Sequence, residues 1–122
     1  MDVLILAGGK CDPELAAETG VEYRALLPFQ GKPMLDTVMA AVQGVGRIIL
    51  VSDFSRPNVE NVPAGASFVG SIENGIKAVQ SPTFLLVMAD IPWITAEAIQ
   101  DYLSNCNPDA LLNYPIIPIE EA

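Results

Sequence analysis

The sequence predicts an α/β fold in which a mostly parallel sheet carries helices on both faces. Uncharged apolar runs, of which Val3–Ala7 and Thr83–Ala89 are the strongest, alternate with segments of helical periodicity. This alternation is typical of parallel sheets whose strands are joined by helices. Hydrophobic residues make up 51% of the 122-residue chain, which favours a sheet covered on both faces. The length suits one domain.

The first predicted strand ends at a pair of glycines. Val3–Ala7 carries no charge and is followed directly by Gly8 and Gly9. Adjacent glycines at the carboxyl end of a buried strand let backbone N–H groups approach a ligand that a Cβ would keep away. The same pair also fits a tight turn whose backbone angles need glycine. The sequence leaves both interpretations open.

The remaining elements are predicted from apolar periodicity and from residues that start or stop helices. Further strands are predicted at Arg47–Val51, Ser67–Val69, Thr83–Ala89 and Asp109–Tyr114. Helices are predicted at Glu14–Thr19, from Pro33 to Gln43, from an N-cap at Ser71 through Val79, and at Ala96–Ser104 after the N-cap Thr95. Proline suits a first helical turn, where its missing N–H needs no partner, and Ser and Thr are favoured N-caps.

Three groups are predicted to meet at the carboxyl edge of this sheet. Parallel strands end at the same edge, so Gly8, Gly9 and Asp90 should be neighbours there. Glycine N–H groups can contact phosphate, and Arg24 can form bidentate contacts to phosphate oxygens. A strand-end aspartate can bind Mg²⁺ together with substrate phosphates. The pattern predicts a nucleoside triphosphate site, whereas Asp90 taken alone also fits an Asx turn.

Composition excludes several kinds of chemistry and partner. The chain has no histidine, which excludes catalysis by Ser–His or Cys–His pairs. Cys11 and Cys106 lack metal-ligand spacing, and we expect them to be reduced. The net charge of −9 argues against nucleic acids and anionic membranes as partners. Because no apolar run reaches the length of a membrane span and no basic segment precedes the first strand, a cytoplasmic location is predicted.

Four blocks of sequence together resemble one protein family. They are VLILAGGK from Val3, RALLPFQGKPMLDTVMAAV from Arg24, SIENGIKAV from Ser71 and LLVMADIPWIT from Leu85. In this order and spacing they are similar to the MobA-like NTP transferases, which are nucleotidyltransferases with a glycosyltransferase-A-like fold. The resemblance implies a Rossmann-like sheet of the nucleotide-diphospho-sugar transferase type. It also implies Mg²⁺-dependent transfer of a nucleoside monophosphate from an NTP to an acceptor, with release of pyrophosphate.

The resemblance further implies roles for individual residues. Nucleotide binding would fall to Leu6, Ala7, Gly8, Gly9, Lys10, Ser71 and Gly75. Arg24 would occupy the place of the family's phosphate-binding lysine and Asp90 that of its metal ligand, so these two are the implied catalytic residues. Lys10 would replace the arginine that family members commonly carry after the glycine pair. Because arginine is not equivalent to lysine at a compact phosphate site, the residue at position 24 is a departure that bears on catalysis.

The family pattern continues past Ala122 into an acceptor-binding half with a second metal-binding aspartate, a motif that Asp109 does not match. We therefore expect residues 1–122 to be the nucleotide-binding part of a nucleotidyltransferase domain, incomplete at the carboxyl terminus and with little or no activity alone. The implied partners are an NTP and an unidentified small-molecule acceptor that carries a phosphate or hydroxyl group.

Two alternatives belong to other functional classes. A non-catalytic nucleotide-binding or scaffold domain would use the same glycine pair without turnover. A receiver-like signalling domain would match the length, the strand–helix pattern and Asp53 at a strand end, but its first strand should end in paired acids. A dinucleotide-binding module is disfavoured because AGGKCDP lacks the third glycine of GxGxxG.

Overall fold

The computed structural model describes residues 1–89 and 95–106. The strands within them are β1 (Asp2–Leu6), β2 (Pro28–Phe29), β3 (Lys32–Pro33), β4 (Ile48–Ser52), β5 (Glu60–Pro63) and β6 (Phe84–Met88). The α-helices are α1 (Pro13–Thr19), α2 (Met34–Val42), α3 (Phe68–Ile76) and α4 (Ala96–Ser104). One turn of 3-10 helix, Arg24–Leu26, precedes β2. The predicted strand Asp109–Tyr114 lies outside the described residues.

The central sheet has the strand order β5-β4-β1-β6, and each neighbouring pair is parallel. In this register Leu4 of β1 lies between Ile49 of β4 and Leu86 of β6. The short strands β2 and β3 form a separate antiparallel hairpin whose turn contains Gln30 and Gly31, both with positive φ. The predicted α/β fold with a mostly parallel sheet is confirmed.

Helices cover both faces of this sheet, as the sequence predicted. Every residue of β1 is buried, and its side chains alternate between two apolar clusters. On one face Val3 and Ile5 pack with residues of α2 and α4, including Val38 and Ile99. On the other face Leu4 and Leu6 pack with Ile49, Val51 and residues of α3 and its continuation, including Ile72 and Val79.

The predicted strand Ser67–Val69 is wrong. Ser67 is instead the N-cap of α3, and its hydroxyl accepts a hydrogen bond from the Gly70 N–H at 3.1 Å. The third strand of the sheet along the chain is β5, at a place where the sequence analysis predicted no strand. Its sequence ENVP is polar and largely exposed because the strand forms an edge of the sheet, where proline is tolerated.

Two predicted helix starts are also displaced. Ser71 does not cap α3, because the helix begins at Phe68 and Ser71 already lies in its first turn. Pro33 is the N-cap of α2 rather than a helical residue, since its ψ of 143° is extended and the helix begins at Met34. The prediction for α4 is confirmed, with Thr95 accepting a hydrogen bond from the Ala98 N–H at 3.1 Å.

The amino-terminal end of the sheet is held by the Asp2 side chain. Its carboxylate accepts hydrogen bonds from the Gln80 N–H at 2.8 Å and the Ser81 N–H at 3.3 Å. The Arg47 guanidinium lies 3.4 Å from the same oxygen and also donates to the Ala78 carbonyl. The hydrogen bond from Gln80, reinforced by those from Ser81 and Arg47, outweighs desolvation and holds the pKa of Asp2 below its usual value. The charged side chains of Asp2 and Arg47 therefore have their partners within the fold.

No helix within residues 1–89 and 95–106 is both long enough and apolar enough to cross a membrane.

Candidate functional site

Gly8 and Gly9 form the exit from β1 at the carboxyl edge of the sheet. Their φ angles are not positive, unlike those of Gly20 and Gly31. A Cβ on Gly8 would lie 2.9 Å from the Cβ of Ala64, and one on Gly9 would lie 2.9 Å from Nη2 of Arg24. Close approach to Ala64 therefore explains the glycine at position 8, whereas the atoms nearest to a Cβ on Gly9 belong to the end of the flexible Arg24 side chain.

The main chain brings Arg24 to this edge. Its N–H donates to the Gly9 carbonyl at 3.0 Å, and the Cys11 N–H donates to the Glu22 carbonyl at 2.8 Å. These two hydrogen bonds tie together the base of the loop that contains α1. The Arg24 side chain is exposed, and its guanidinium forms no ion pair with any of the residues that the structure describes. The result is a cation beside the glycine pair that has no counter-ion within residues 1–89 and 95–106.

A cavity of about 30 Å³ lies between the ends of β1 and β6. It is lined by Leu6, Ala7, Gly9, Arg24, Ala25, Met88 and Ala89. About one water molecule occupies such a volume in the liquid, so a nucleotide at this edge would lie across the open surface rather than inside the cavity. The sequence analysis did not identify Ala25, Met88 or Ala89, although the last two are at the carboxyl end of a predicted strand.

The chain leaving β6 stays beside β1. The Ala89 N–H donates to the Leu6 carbonyl at 3.0 Å, which extends the pairing of these strands past Met88. Asp90 follows directly but lies outside the described residues. Its predicted proximity to Gly8 and Gly9, and its role as a metal ligand, therefore stay predictions.

Lys10 directly follows the glycine pair and forms an antiparallel bridge with Tyr23. Its ammonium group is 3.6 Å from the Glu22 carboxylate, and both side chains are largely exposed, at 59% and 66%. An exposed ion pair of this kind contributes about 0–1 kcal/mol to stability. Lys10 is therefore free to exchange Glu22 for an anionic ligand.

Ser71 and Gly75, to which the resemblance assigned nucleotide binding, have packing roles. The Ser71 hydroxyl accepts a hydrogen bond from the Gly65 N–H at 2.9 Å. A Cβ on Gly75 would overlap the Leu4 side chain and come within 2.9 Å of Cγ2 of Val51. Glycine here lets α3 pack closely on the sheet, and the predicted nucleotide contacts of these two residues stay predictions.

The sequence analysis missed a run of small residues that joins α3 to the glycine pair. Gly8 approaches Ala64, and a Cβ on the next residue, Gly65, would lie 2.5 Å from the carbonyl carbon of Gly70 in α3. The signal in the sequence is the segment PAGA, which begins at the last residue of β5. These contacts place the first turn of α3 at the same edge of the sheet as Gly8 and Arg24.

Within residues 1–89 and 95–106, no group of three or more Asp, Glu, Cys or His side chains is arranged to hold a metal ion. The described residues therefore do not fit a metal centre built by protein ligands alone. Magnesium bound mainly by substrate phosphates needs one or two carboxylates, and the carboxylate predicted for this role is Asp90.

Several solved structures are similar to this chain. A hypothetical transferase from Thermus thermophilus has a TM-score of 0.75 at 26% identity, over 88% of this chain and 47% of its own. The 2-C-methyl-D-erythritol 4-phosphate cytidylyltransferase from the same species has a TM-score of 0.63 at 17% identity, over 84% and 46%. A Mycobacterium tuberculosis protein in complex with manganese has a TM-score of 0.61 at 15% identity, over 84% and 57%. At such identities the last two show a shared fold.

The chain thus spans about half the length of the solved structures that it matches. No curated protein matches its sequence. A family model described as the MobA-like NTP transferase domain matches residues 3–116, which agrees with the resemblance from Val3 onward and decides against the receiver-like alternative. The chain belongs to the family of MobA-like NTP transferase domains.

Proposed function

We propose that the chain binds a nucleoside triphosphate across the carboxyl edge of its sheet, as the nucleotide-binding part of a nucleotidyltransferase. The observation that carries the proposal is the exposed guanidinium of Arg24, which lies against Gly9 without an ion pair among the described residues. The chain has a net charge of −9, so an unpaired cation is a notable feature of its surface. Because the neighbouring glycines leave their backbone N–H groups accessible, this position suits a multiply charged anion. The family to which the chain belongs supports an NTP as that anion.

The proposed reaction moves a nucleoside monophosphate to a phosphorylated or hydroxyl acceptor. An acceptor oxygen forms a bond to the α-phosphorus, the bond from that phosphorus to the bridging oxygen breaks, and pyrophosphate leaves. A hydroxyl acceptor also releases its proton to solvent. Arg24 and Lys10 would neutralise phosphate charge, while Leu6, Ala7, Gly8 and Gly9 would bring backbone close to the nucleotide. Mg²⁺ held by the phosphates and Asp90 would add further positive charge. Chemistry of this kind depends on positioning and electrostatic stabilisation, so it needs no histidine.

We also propose that the acceptor-binding half of the enzyme is not within residues 1–122 and that these residues alone have little or no transferase activity. The match to about half of the length of the related structures supports this division. It also favours, as a second candidate, a domain that binds nucleotide without turnover. A cytoplasmic location stays a prediction.

Calorimetric titration with ATP, GTP, CTP and UTP, each with and without Mg²⁺, tests the proposal. We expect at least one NTP to bind in a Mg²⁺-dependent manner, Asp90→Ala to remove the Mg²⁺ dependence, and Asp101→Ala on the exposed face of α4 to retain it. Failure of all four NTPs to bind would overturn the proposal. Detectable turnover of any NTP by this chain would contradict the expected inactivity and decide against the second candidate.

A further inference from the structure

The segment that carries Arg24 is attached to the end of β1 by a short stretch of backbone pairing. Tyr23 forms an isolated antiparallel bridge with Lys10. The Arg24 N–H donates to the Gly9 carbonyl at 3.0 Å, and Arg24 then begins the 3-10 turn. Two segments that pair in isolation are only marginally stable in water. A contact with the body of the domain is therefore needed to fix the backbone at Arg24.

The aromatic ring of Tyr23 makes such a contact. Its centroid lies 5.2 Å from that of the Phe54 ring, and the two rings are inclined at 58°, a tilted arrangement that is favourable for aromatic pairs. Both residues are half-buried. Phe54 lies on the loop after β4 and packs against the apolar cluster that α2, α4 and one face of the sheet form. The ring contact therefore joins the segment of Tyr23 to the core.

The loop that carries Phe54 is itself fixed on both sides of this residue. The Ser52 hydroxyl accepts a hydrogen bond from the Phe54 N–H at 3.3 Å and donates one to the Phe54 carbonyl at 2.6 Å. The Arg56 guanidinium lies 3.3 Å from the Asp36 carboxylate in α2. The Asn61 side chain exchanges two hydrogen bonds with the Arg56 backbone, each of 2.9 Å. The Phe54 ring is thus a firm support for its aromatic partner.

We infer that Tyr23 and Phe54 are positioning residues for Arg24. Their ring contact keeps the Arg24 guanidinium against Gly9, where phosphates are proposed to bind. This inference rests on the proposed function. Because Arg24 directly follows Tyr23, a shift of the Tyr23 backbone moves Arg24 as well. Affinity falls with the fraction of molecules in which the cation is in place, and loss of an aromatic pair changes that fraction by roughly two- to tenfold.

The test measures, by calorimetry, the binding of inorganic tripolyphosphate and of ATP, GTP, CTP and UTP with Mg²⁺. Tyr23→Ala should weaken NTP and tripolyphosphate binding equally, by roughly two- to tenfold, since both ligands present phosphates to Arg24. Tyr23→Phe keeps the ring and should retain the original affinity. Phe84→Ala is the control, because Phe84 is an exposed aromatic residue that pairs with Asp2 at the opposite end of the sheet.

Two further variants separate positioning from a general loss of structure. Phe54→Leu keeps an apolar side chain against the core but lacks the ring, so it should weaken binding as Tyr23→Ala does. In an Arg24→Ala background, Tyr23→Ala should weaken binding no further, because no guanidinium is left to position. Thermal unfolding reports whether each variant is folded, and if Tyr23→Ala is not, Phe54→Leu provides the same comparison.

The outcomes separate this inference from the function on which it rests. If the original chain binds an NTP and folded Tyr23→Ala binds it equally well, the inference is overturned and the proposed function stands. An equal loss of affinity with and without the Arg24 side chain would also overturn it, since Tyr23 would then act independently of Arg24. Weakening of NTP binding without weakening of tripolyphosphate binding would do the same. If the original chain binds neither ligand, the proposed function and the inference both fail.

Discussion

The two ends of β1 differ in whether their charged side chains form ion pairs. At the amino end Asp2 and Arg47 pair with each other, and backbone groups of residues 78, 80 and 81 complete their hydrogen bonds. At the carboxyl end Arg24 is exposed beside Gly9 and forms no ion pair with any described residue. The charged groups at the amino end are therefore paired within the fold, whereas the Arg24 cation at the carboxyl end has no counter-ion within residues 1–89 and 95–106.

Helix α3 and its continuation join these two ends. The first turn packs Gly70 against Gly65 at the carboxyl end, while the carbonyl of Ala78 accepts the hydrogen bond of Arg47 at the amino end. Between them Gly75 lies against Leu4 and Val51 in the middle of the sheet. The comparison shows that charged groups are paired at one end of the sheet and exposed at the other, and that one closely packed helix contacts both ends.

Gly75→Val should produce the largest effect, because a branched side chain would force α3 away from Leu4 and Val51 and disturb both ends. Overpacking of this kind destabilises a core by about 1–3 kcal/mol or more, measurable by urea unfolding. Gly44→Val is the control, since nothing lies within 4 Å of a Cβ at Gly44. Equal unfolding free energies for the two variants would show that α3 does not depend on this contact.

Arg24→Ala should separate binding from stability. Loss of hydrogen bonds to a charged group reduces NTP affinity by roughly ten- to a hundredfold, whereas the exposed side chain contributes less than about 0.5 kcal/mol to folding. Arg47→Ala should give the reverse result, with lower stability and unchanged NTP affinity, because its partners are Asp2 and Ala78. Calorimetry and urea unfolding measure both properties. If Arg47→Ala weakened NTP binding as much as Arg24→Ala, the contrast between the two ends would be lost.

Asp2→Asn should remove an acid-sensitive part of the stability. Hydrogen bonds from Gln80, Ser81 and Arg47 lower the pKa of Asp2 in the folded state. The contribution of Asp2 to the free energy of unfolding is therefore complete above the ordinary aspartate pKa of about 3.9. It is lost as the pH falls through the lower pKa of the folded state. The variant should be less stable at neutral pH and should lose less stability on acidification. Unfolding measured between about pH 2 and about pH 7 tests this, and the exposed Asp53→Asn is the control. Parallel stability–pH curves for Asp2→Asn and the original chain would contradict the assignment.

Lys10→Ala should have the smallest effect. The exposed pair with Glu22 contributes no more than about 1 kcal/mol, so the unfolding free energy should change little. A decrease of NTP affinity by a few fold, smaller than that of Arg24→Ala, is expected from the loss of one mobile cation. A stability loss as large as that of Gly75→Val would show that the Lys10–Glu22 pair holds the loop containing α1, contrary to its exposure.

The elements that the sequence predicted correctly are those with a strong local signal. β1, β4 and β6 are apolar runs, α2 has a helical apolar face, and Thr95 caps α4. β5 was missed because an exposed edge strand needs no apolar alternation, so ENVP resembles a loop. The start of α3 was misplaced because both Ser67 and Ser71 are suitable N-caps, and the packing of Gly65 on Gly70 decides between them.

The features of the candidate site likewise fall into those that the local sequence predicted and those that depend on tertiary contacts. The glycine pair and the strand-end position of Asp90 could be identified from the sequence because both follow apolar runs directly. The contact between Arg24 and Gly9 could not be derived from local pattern, since it depends on how the intervening loop closes through Cys11 and Glu22.

The sequence by itself determined the fold class, the order of most elements, the family and the glycine pair at the end of the first strand. These properties follow from hydrophobic periodicity and from residues adjacent in the chain. The tertiary structure alone decided that Gly8 serves close approach, that Ser71 and Gly75 hold α3 in place, and that Arg24 and the first turn of α3 lie at one edge. Those facts depend on contacts between segments distant in sequence, and packing rather than local propensity selects such contacts.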